Sequence, residues 1–387
     1  MQLTPRITVG LPVYKGADLI PKCLDCLQRQ TFRDFEVIIS VDGNDLETAA
    51  ACRPFLMDPR FRMVVHPERL DWVGNFNWLL QQDLQEFFCY RQHDDTTAPE
   101  FFEVLLLAAE MEPNAAAVYC DCQFSGGRDD IESAPSIEGE SLYRMVRYME
   151  YVPSSAAPLR GLIRRAAIRQ AGLVRSDEFR APLDEFVWLA KLLRWGNFRR
   201  VAKPLYYRLD HPRSFTSAWF SSPEDRKRAA LTRLFTGLLE VAVPLCRTPE
   251  QRRFFQQFIL NRIVDCFYWW SFNEPNSAEK IFADCLERLR LEGNTHLLRR
   301  EELSPILQEV LEQSRIRRFI YRMHQRSRMG RAIYPTSRMR RVIYQLRYPL
   351  ETLRNKISSL LLPSRGSGAA ERKRDASRPI QSDFRLK

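Results

Sequence analysis

"ITVGLPVYKGADLIPKCLDCLQRQTFRDFEVIISVD" (residues 7–42) holds two strand-length apolar runs on either side of one helical period. "ITVGLPVY" and "FEVIISVD" are nearly uninterrupted apolar segments, the pattern of strands covered on both faces. Between them, Leu19, Ile20, Cys23, Leu24 and Leu27 recur at the spacing of one helix face. Two such strands joined by a helix predict parallel pairing. The alternation continues with a helix from Leu46, a strand "FRMVVH", a helix "WVGNFNWLLQQDL", a strand "EFFCYRQ", a helix "PEFFEVLLLAAEM" and a strand "AAAVYCDCQF". The predicted class is α/β, a mixed sheet flanked by helices. Ligands of such sheets gather at the carboxyl ends of the strands. Pro12 and Tyr14, Asp42, and the pair Asp94 and Asp95 fall at three such ends.

Beyond the last of these strands, residues 124–140 are rich in Gly, Ser and Asp and predict a loop. "GLIRRAAIRQAG" predicts a strand-to-helix unit, and "APLDEFVWLAKLLRWG" a helix ended by Gly196. "FRRVAKPLYYRLDHPRSFT" reads as a strand pair, or a strand and loop, that closes a domain near Ser217. From Ser222 onward the periodicity is almost wholly helical. The expected organisation is a sheet domain over 1–217, a helical domain over 218–314, and a basic amphipathic segment with a polar, disordered end over 315–387.

The 387 residues carry a formal net charge of +11, but residues 315–387 hold 20 Lys and Arg against 4 Asp and Glu, a net of +16. The remainder is therefore acidic, at −5. Nine cysteines, an odd number, follow a start without a basic and apolar leader, so reduced thiols in the cytoplasm are expected. Cys23-x-x-Cys26 lies in a helical pattern without a second pair at zinc spacing, which favours small packing residues over a metal or redox site. No run reaches the about 18 to 20 apolar residues of a membrane span.

Taken alone, Asp94 and Asp95 have two readings. They suit the dipole of a helix opening near Thr97, Ala98 or Pro99, or they hold a cation. Their company favours the second. Pro12-Val13-Tyr14-Lys15-Gly16 after the first strand, Gln30-Thr31 through Asp42-Gly43 around the second, and His93-Asp94-Asp95 at the end of the fourth resemble, in order and spacing, the motifs of family-two glycosyltransferases of the GT-A fold. The resemblance covers about residues 1–217. It implies a Rossmann-like, nucleotide-sugar-binding sheet followed by a helical C-terminal region, and an inverting, metal-dependent transfer from a nucleotide sugar, with UDP-sugars first in order. It further implies Mn2+ or Mg2+ on Asp95, with Asp94 holding the ribose or the ion, and Asp42 meeting the base beside Pro12 and Tyr14. Asn77, in "WVGNFNWLL", is the candidate from the third helix; an exposed polar position is the alternative. Gln92 and Val41 stand where many relatives carry an acid.

The family's general base is the carboxylate of an acidic pair that opens a helix before a Gly. Asp184-Glu185 ahead of Gly196 matches it. Spacing points to Glu185 and residue type to Asp184, so both are candidates for deprotonating the acceptor hydroxyl. Helix-terminal acids with no other duty are the alternative. His211, in "YYRLDHPRS", is either a further metal or phosphate ligand or a surface histidine.

The segment 315–387 interleaves Arg with Tyr, Ile, Phe and Met, which suits an anionic membrane surface; nucleic acid is not the expected partner. The acceptor expected from the resemblance is a glycan or lipid-linked hydroxyl, in cell-surface polysaccharide synthesis, with the protein peripheral on the inner face of the membrane. Two competing classes remain open. A nucleotidyltransferase would carry a Gly-rich basic loop after the first strand, which "GLPVYKGA" does not supply. A catalytically degenerate module binding membrane or nucleic acid through the basic segment is kept open by Gln92 and Val41.

Overall fold

The computed structural model describes residues 5–127, 129–150, 156–175, 183–211, 213–214, 219, 222–269 and 277–298. The basic segment 315–387 and the tip of the predicted domain boundary at 215–218 lie outside them.

Nine strands form one mixed sheet. They are β1 Ile7–Val13, β2 Phe35–Val41, β3 Phe61–Val65, β4 Phe87–Tyr90, β5 Thr96–Thr97, β6 Ala115–Gly126, β7 Ile131–Glu132, β8 Leu162–Arg164 and β9 Asn197–Asp210. The order is β3-β2-β1-β4-β8-β6-β9-β5, with β7 on β6. β1 pairs in parallel with β2 and β4, and β2 with β3. The carboxyl ends of all four therefore open on one edge, and the order switches direction between β1 and β4, where a crevice forms. Pro12 fits this switch. Gly10 faces β4, whose Arg91 N–H donates to the Gly10 carbonyl, and Pro12 points the same way past the last paired residue, Tyr90. A missing N–H there leaves no ladder bond unmade.

The helices α1 Ile20–Gln28, α2 Leu46–Cys52, α3 Asp71–Leu80, α4 Phe101–Met111, α5 Ser141–Met149, α6 Arg165–Ala171 and α7 Asp184–Leu193 cover the two faces. Asp45 starts α2: its carboxylate accepts from the Thr48 N–H and hydroxyl, and also from the Lys15 N–H, tying the β1 loop to the β2 loop. α8 Glu224–Ala242, α9 Pro249–Trp269 and α10 Ser277–Leu291 follow. Leu231, Leu234, Phe235 and Leu238 of α8 share a core with Trp188 and Leu189 of α7 and Phe76 of α3, so the helical region extends one face of the sheet domain's core.

The predicted loop at 124–140 is partly sheet, since β6 runs on to Gly126 and β7 pairs with it. The predicted strand pair is one 14-residue strand, β9. It accommodates Pro204 through irregular register against β6 on either side of Asp121. Such bulges are where a sheet tolerates proline.

The Ala157–Arg160 3-10 turn and β8 are pressed onto β6 at Gly161, where an added Cβ would lie 2.0 Å from the Val118 carbonyl oxygen. Gly161→Ala is accordingly expected to lower stability by about 1–3 kcal/mol, as overpacking against rigid backbone does. Urea denaturation should show the loss, and a midpoint equal to the parent's would contradict this packing.

Candidate functional site

Four non-glycine residues have a positive φ: Lys15 after β1, Asn44 after β2, Asp71 opening α3 and Leu183 before α7. Strain of this kind persists where the surroundings enforce it, and it collects at binding sites. The first two sit on loops at the sheet's carboxyl edge.

Asp42 ends β2 in a buried position. Its two oxygens accept from the Leu70 N–H at 2.7 Å and the Asp71 N–H at 3.0 Å, and Arg69 pairs with it at 3.1 Å. The Arg69 guanidinium lies 3.3 Å from the centre of the Tyr14 ring and also bonds Asp71. Tyr14, Arg69 and Asp42 thus form one wall. Behind it, Ser40 donates to Asn75 Oδ1 at 2.5 Å and meets His66 Nε2 at 2.8 Å, a buried polar chain that fixes the end of β2 against α3. Burial holds the His66 ring below its ordinary pKa.

At the β4 end, Asp94 and Asp95 point to different places. Asp95 is 2% exposed. Its carboxylate accepts from the Tyr206 hydroxyl at 2.8 Å and the Leu209 N–H at 3.1 Å, both on β9. Burial, then the neighbouring Asp94 charge, pushes Asp95 up to about 6. Asp94 turns toward the rim, where its Oδ2 lies 3.1 Å from His211 Nε2. Neither acid caps a helix: β5 intervenes, and α4 opens at Phe101 without a side-chain cap. The capping reading is thereby excluded.

Across the crevice, Tyr90 accepts a hydrogen bond from Trp72 Nε1 at 2.9 Å. Burial raises its phenol, and the charges of Asp94, Arg160 and Glu185 all reach it. Glu185 Oε2 accepts from the Leu183 N–H at 2.9 Å, a bond that goes with the positive φ of Leu183. Burial raises the Glu185 pKa, while backbone N–H groups and Arg160 pull it the other way. Asp184, by contrast, points into the protein and pairs with Arg233 of α8, both nearly buried.

Residues 8–168 match the family described as "Glycosyl transferase family 2". This segment is similar to family-two glycosyltransferase domains. EpsH of Bacillus subtilis (strain 168), named as a glycosyltransferase, is 31% identical over 107 residues, 27% of this chain and 31% of that protein. The glycosyltransferase GlyA of Streptococcus pneumoniae serotype 4 (strain ATCC BAA-334 / TIGR4) is 26% identical over 106 residues, 27% of this chain and 15% of that protein. The chain thus matches less than a third of the length of either relative. The crystal structure of S. aureus TarS 1-349 superposes with a TM-score of 0.56 at 15% identity, over 73% of this chain and 79% of that one. It bears out the GT-A fold.

Within the sheet domain and its helical extension, the sequence-predicted residues fall into two groups. Pro12, Tyr14, Asp42, Asp94, Glu185 and His211 border the crevice or its rim. Three do not behave as expected. Asp95 faces β9 because its oxygens are claimed by Tyr206 and Leu209, so the carboxylate at the rim is Asp94. Asn77 is committed to Val174, donating to its carbonyl at 2.7 Å and accepting from its N–H at 2.8 Å, so it clamps α3 to the segment after α6 and leaves the nucleotide edge. Asp184 is a structural partner of Arg233. Sequence reasoning passed over Arg69, Asn75, Arg160 and Tyr206. Of these only Tyr206 carried a signal, in the "YYR" preceding His211.

Among the described residues, no cluster of three or more His, Cys, Asp or Glu is placed to hold a metal. The nearest arrangement is the Asp94 and His211 pair. Eight cysteines among the described residues are free thiols, consistent with packing roles. No described helix is long and apolar enough to cross a membrane.

Asp184→Ala removes the carboxylate from a buried guanidinium and is expected to destabilise by about 3–5 kcal/mol. Asp94→Ala, at the rim, should shift the urea midpoint little. Equal midpoints for the two variants would refute this division of labour.

Proposed function

We propose that the chain transfers a sugar from a nucleotide-sugar donor, with UDP-sugars first in order, to a hydroxyl of a glycan or lipid-linked acceptor, with inversion at the anomeric carbon. The observation that carries this reading is the Asp94 and His211 pair, 3.1 Å apart beyond the end of β4, at the switch point of a sheet whose residues 8–168 match the family-two glycosyltransferases.

Tyr14 and Arg69 offer the face on which a base stacks, and buried Asp42, with Leu70, Asp71 and Arg69 on its oxygens, holds that wall in place. Asp94 Oδ2 and His211 Nε2 stand 3.1 Å apart. Adjacent ligands of an octahedral ion bound at about 2.1 Å are about 3 Å apart. The pair therefore fits two neighbouring positions of Mg2+ or Mn2+, with donor phosphate oxygens and water filling the rest, the usual division of ligands for such ions. When bound, that cation would neutralise charge on the departing diphosphate.

Glu185 is the base of this reading. It is partly exposed, fixed by the Leu183 N–H, and unpaired with any cation within 4 Å among the described residues, whereas Asp184 is neutralised by Arg233. A carboxylate with a raised pKa holds a proton more firmly once it has taken it. Trp72 and Tyr90 are joined by a hydrogen bond, and their aromatic surface suits the apolar face of a sugar ring. Direct in-line attack by the Glu185-activated hydroxyl, opposite the diphosphate, inverts the anomeric centre. The basic segment 315–387 lies outside the described residues, and its proposed partner is an anionic membrane surface that would bring a lipid-linked acceptor to the domain.

Glu185→Gln should lower kcat by about 10²–10⁴ with modest change in KM. Because burial raises this group, the active, deprotonated form accumulates only above the ordinary Glu value of about 4.3. The acidic limb of the pH–kcat profile should therefore lie above that value in the parent and disappear in the variant. An unchanged limb in Glu185→Gln would assign the base elsewhere. A thermal-shift screen with UDP, GDP, dTDP and CMP, each with and without Mn2+, tests the donor class, since a bound ligand raises the melting temperature. No stabilisation by any of them would defeat the reading.

A further inference from the structure

We propose that Arg160 is a diphosphate-binding residue of this site, its guanidinium held by Gln92 with both terminal amino groups left for the donor's phosphate oxygens. The inference rests on the nucleotide-sugar reading above and adds a residue to it.

Arg160 ends the 3-10 turn whose close approach to β6 is enforced at Gly161. It is 8% exposed. Its Nε donates to Gln92 Oε1 at 3.1 Å. Among the described residues no carboxylate lies within 4 Å of it, and neither Nη makes a hydrogen bond. A buried guanidinium without a counter-ion is costly by several kcal/mol, and that cost is met when an anion arrives. The surroundings indicate which anion. Gln92 lies two residues before Asp94, and its carbonyl receives the Cys23 thiol, so the tether belongs to the same strand-end loop as the Asp94 and His211 pair. Through Gln92 the guanidinium is tethered to the acidic tip, and its charge reaches Asp95, Glu185 and Tyr90. A guanidinium fork matches phosphate oxygens in bidentate fashion. Positioned there, Arg160 would hold the diphosphate on the side away from Asp94 and stabilise the charge it gains as the glycosidic bond breaks.

Binding constants for UDP, GDP and dTDP, the matching monophosphates and inorganic pyrophosphate, measured with Mn2+ on the full chain, test this. In Arg160→Gln, affinity for the preferred nucleoside diphosphate and for pyrophosphate should fall about 10–100-fold, while the monophosphate changes less than about threefold, with Arg160→Lys between. Turnover should fall about 10²–10³-fold. A variant that keeps the parent's preference for diphosphate over monophosphate overturns the proposal. If Arg160→Gln does not fold, Gln92→Leu serves: releasing Nε should weaken diphosphate binding in the same direction, and unchanged affinity there also overturns it. Should the parent chain bind none of the diphosphates, the nucleotide-sugar reading itself fails, an outcome distinct from binding that ignores Arg160.

Discussion

The site depends on one buried contact, the Asp95 carboxylate received by β9. Tyr206 and Leu209 both donate to it, and His211, just past the end of β9, lands on Asp94. Two adjacent carboxylates would repel if they faced the same way. Turning one inward to two donors separates their duties: Asp95 secures the strand and Asp94 remains at the rim. The contact spans 111 positions of sequence and ties the acidic tip to the last strand of the sheet.

The electrostatics beneath the tip follow from it. Arg91 is 0% exposed, and its three guanidinium nitrogens have no hydrogen-bond partner. It lies against the rings of both Phe101 and Tyr206, 5.0 and 4.9 Å from their centres. Cation–π contacts of about 2 kcal/mol or more each, when desolvated, offset part of the cost of burying the charge. Tyr206 therefore faces a cation with its ring and an anion with its hydroxyl. Arg91, Tyr206 and Asp95 thus form one buried series of cation, ring and carboxylate beneath the tip.

Much of this architecture was legible from the order of residues, for identifiable reasons. β1, β2 and β4 are buried on both faces, so each reads as an unbroken apolar run, and their shared direction places Pro12, Asp42 and Asp94 on one edge. Faces of helices were harder. Asn75 and Asn77 are two residues apart on α3 and so point in nearly opposite directions, one to Ser40 and the other to Val174; periodicity gives both, and only the packed partners tell them apart. The same holds for Asp184 and Glu185, where Arg233 on α8, far along the chain, decides which carboxylate is neutralised. The orientation of Asp95 was illegible because it is set by β9, expected as a strand pair or a strand and loop but found as one strand. Arg160 sits on a 3-10 turn with no period, marked only by the glycine that follows it.

Gln92 and Arg160 are best understood together. A carboxylate at position 92, as the family pattern has, would meet the Arg160 Nε as an ion pair and neutralise the guanidinium where it lies. An amide carbonyl makes the same hydrogen bond, at 3.1 Å, and orients the side chain while leaving its charge intact. The pair's net charge goes from zero to plus one, a change of one in favour of an anionic ligand. At an effective dielectric near 20, a unit charge acting on a phosphate about 4 Å away amounts to about 4 kcal/mol, comparable with what one well-placed oxyanion donor contributes to a transition state. Departure from the acidic pattern at Gln92 is thus compatible with the proposed site, in which Asp94, His211 and Arg160 would together meet the donor's diphosphate.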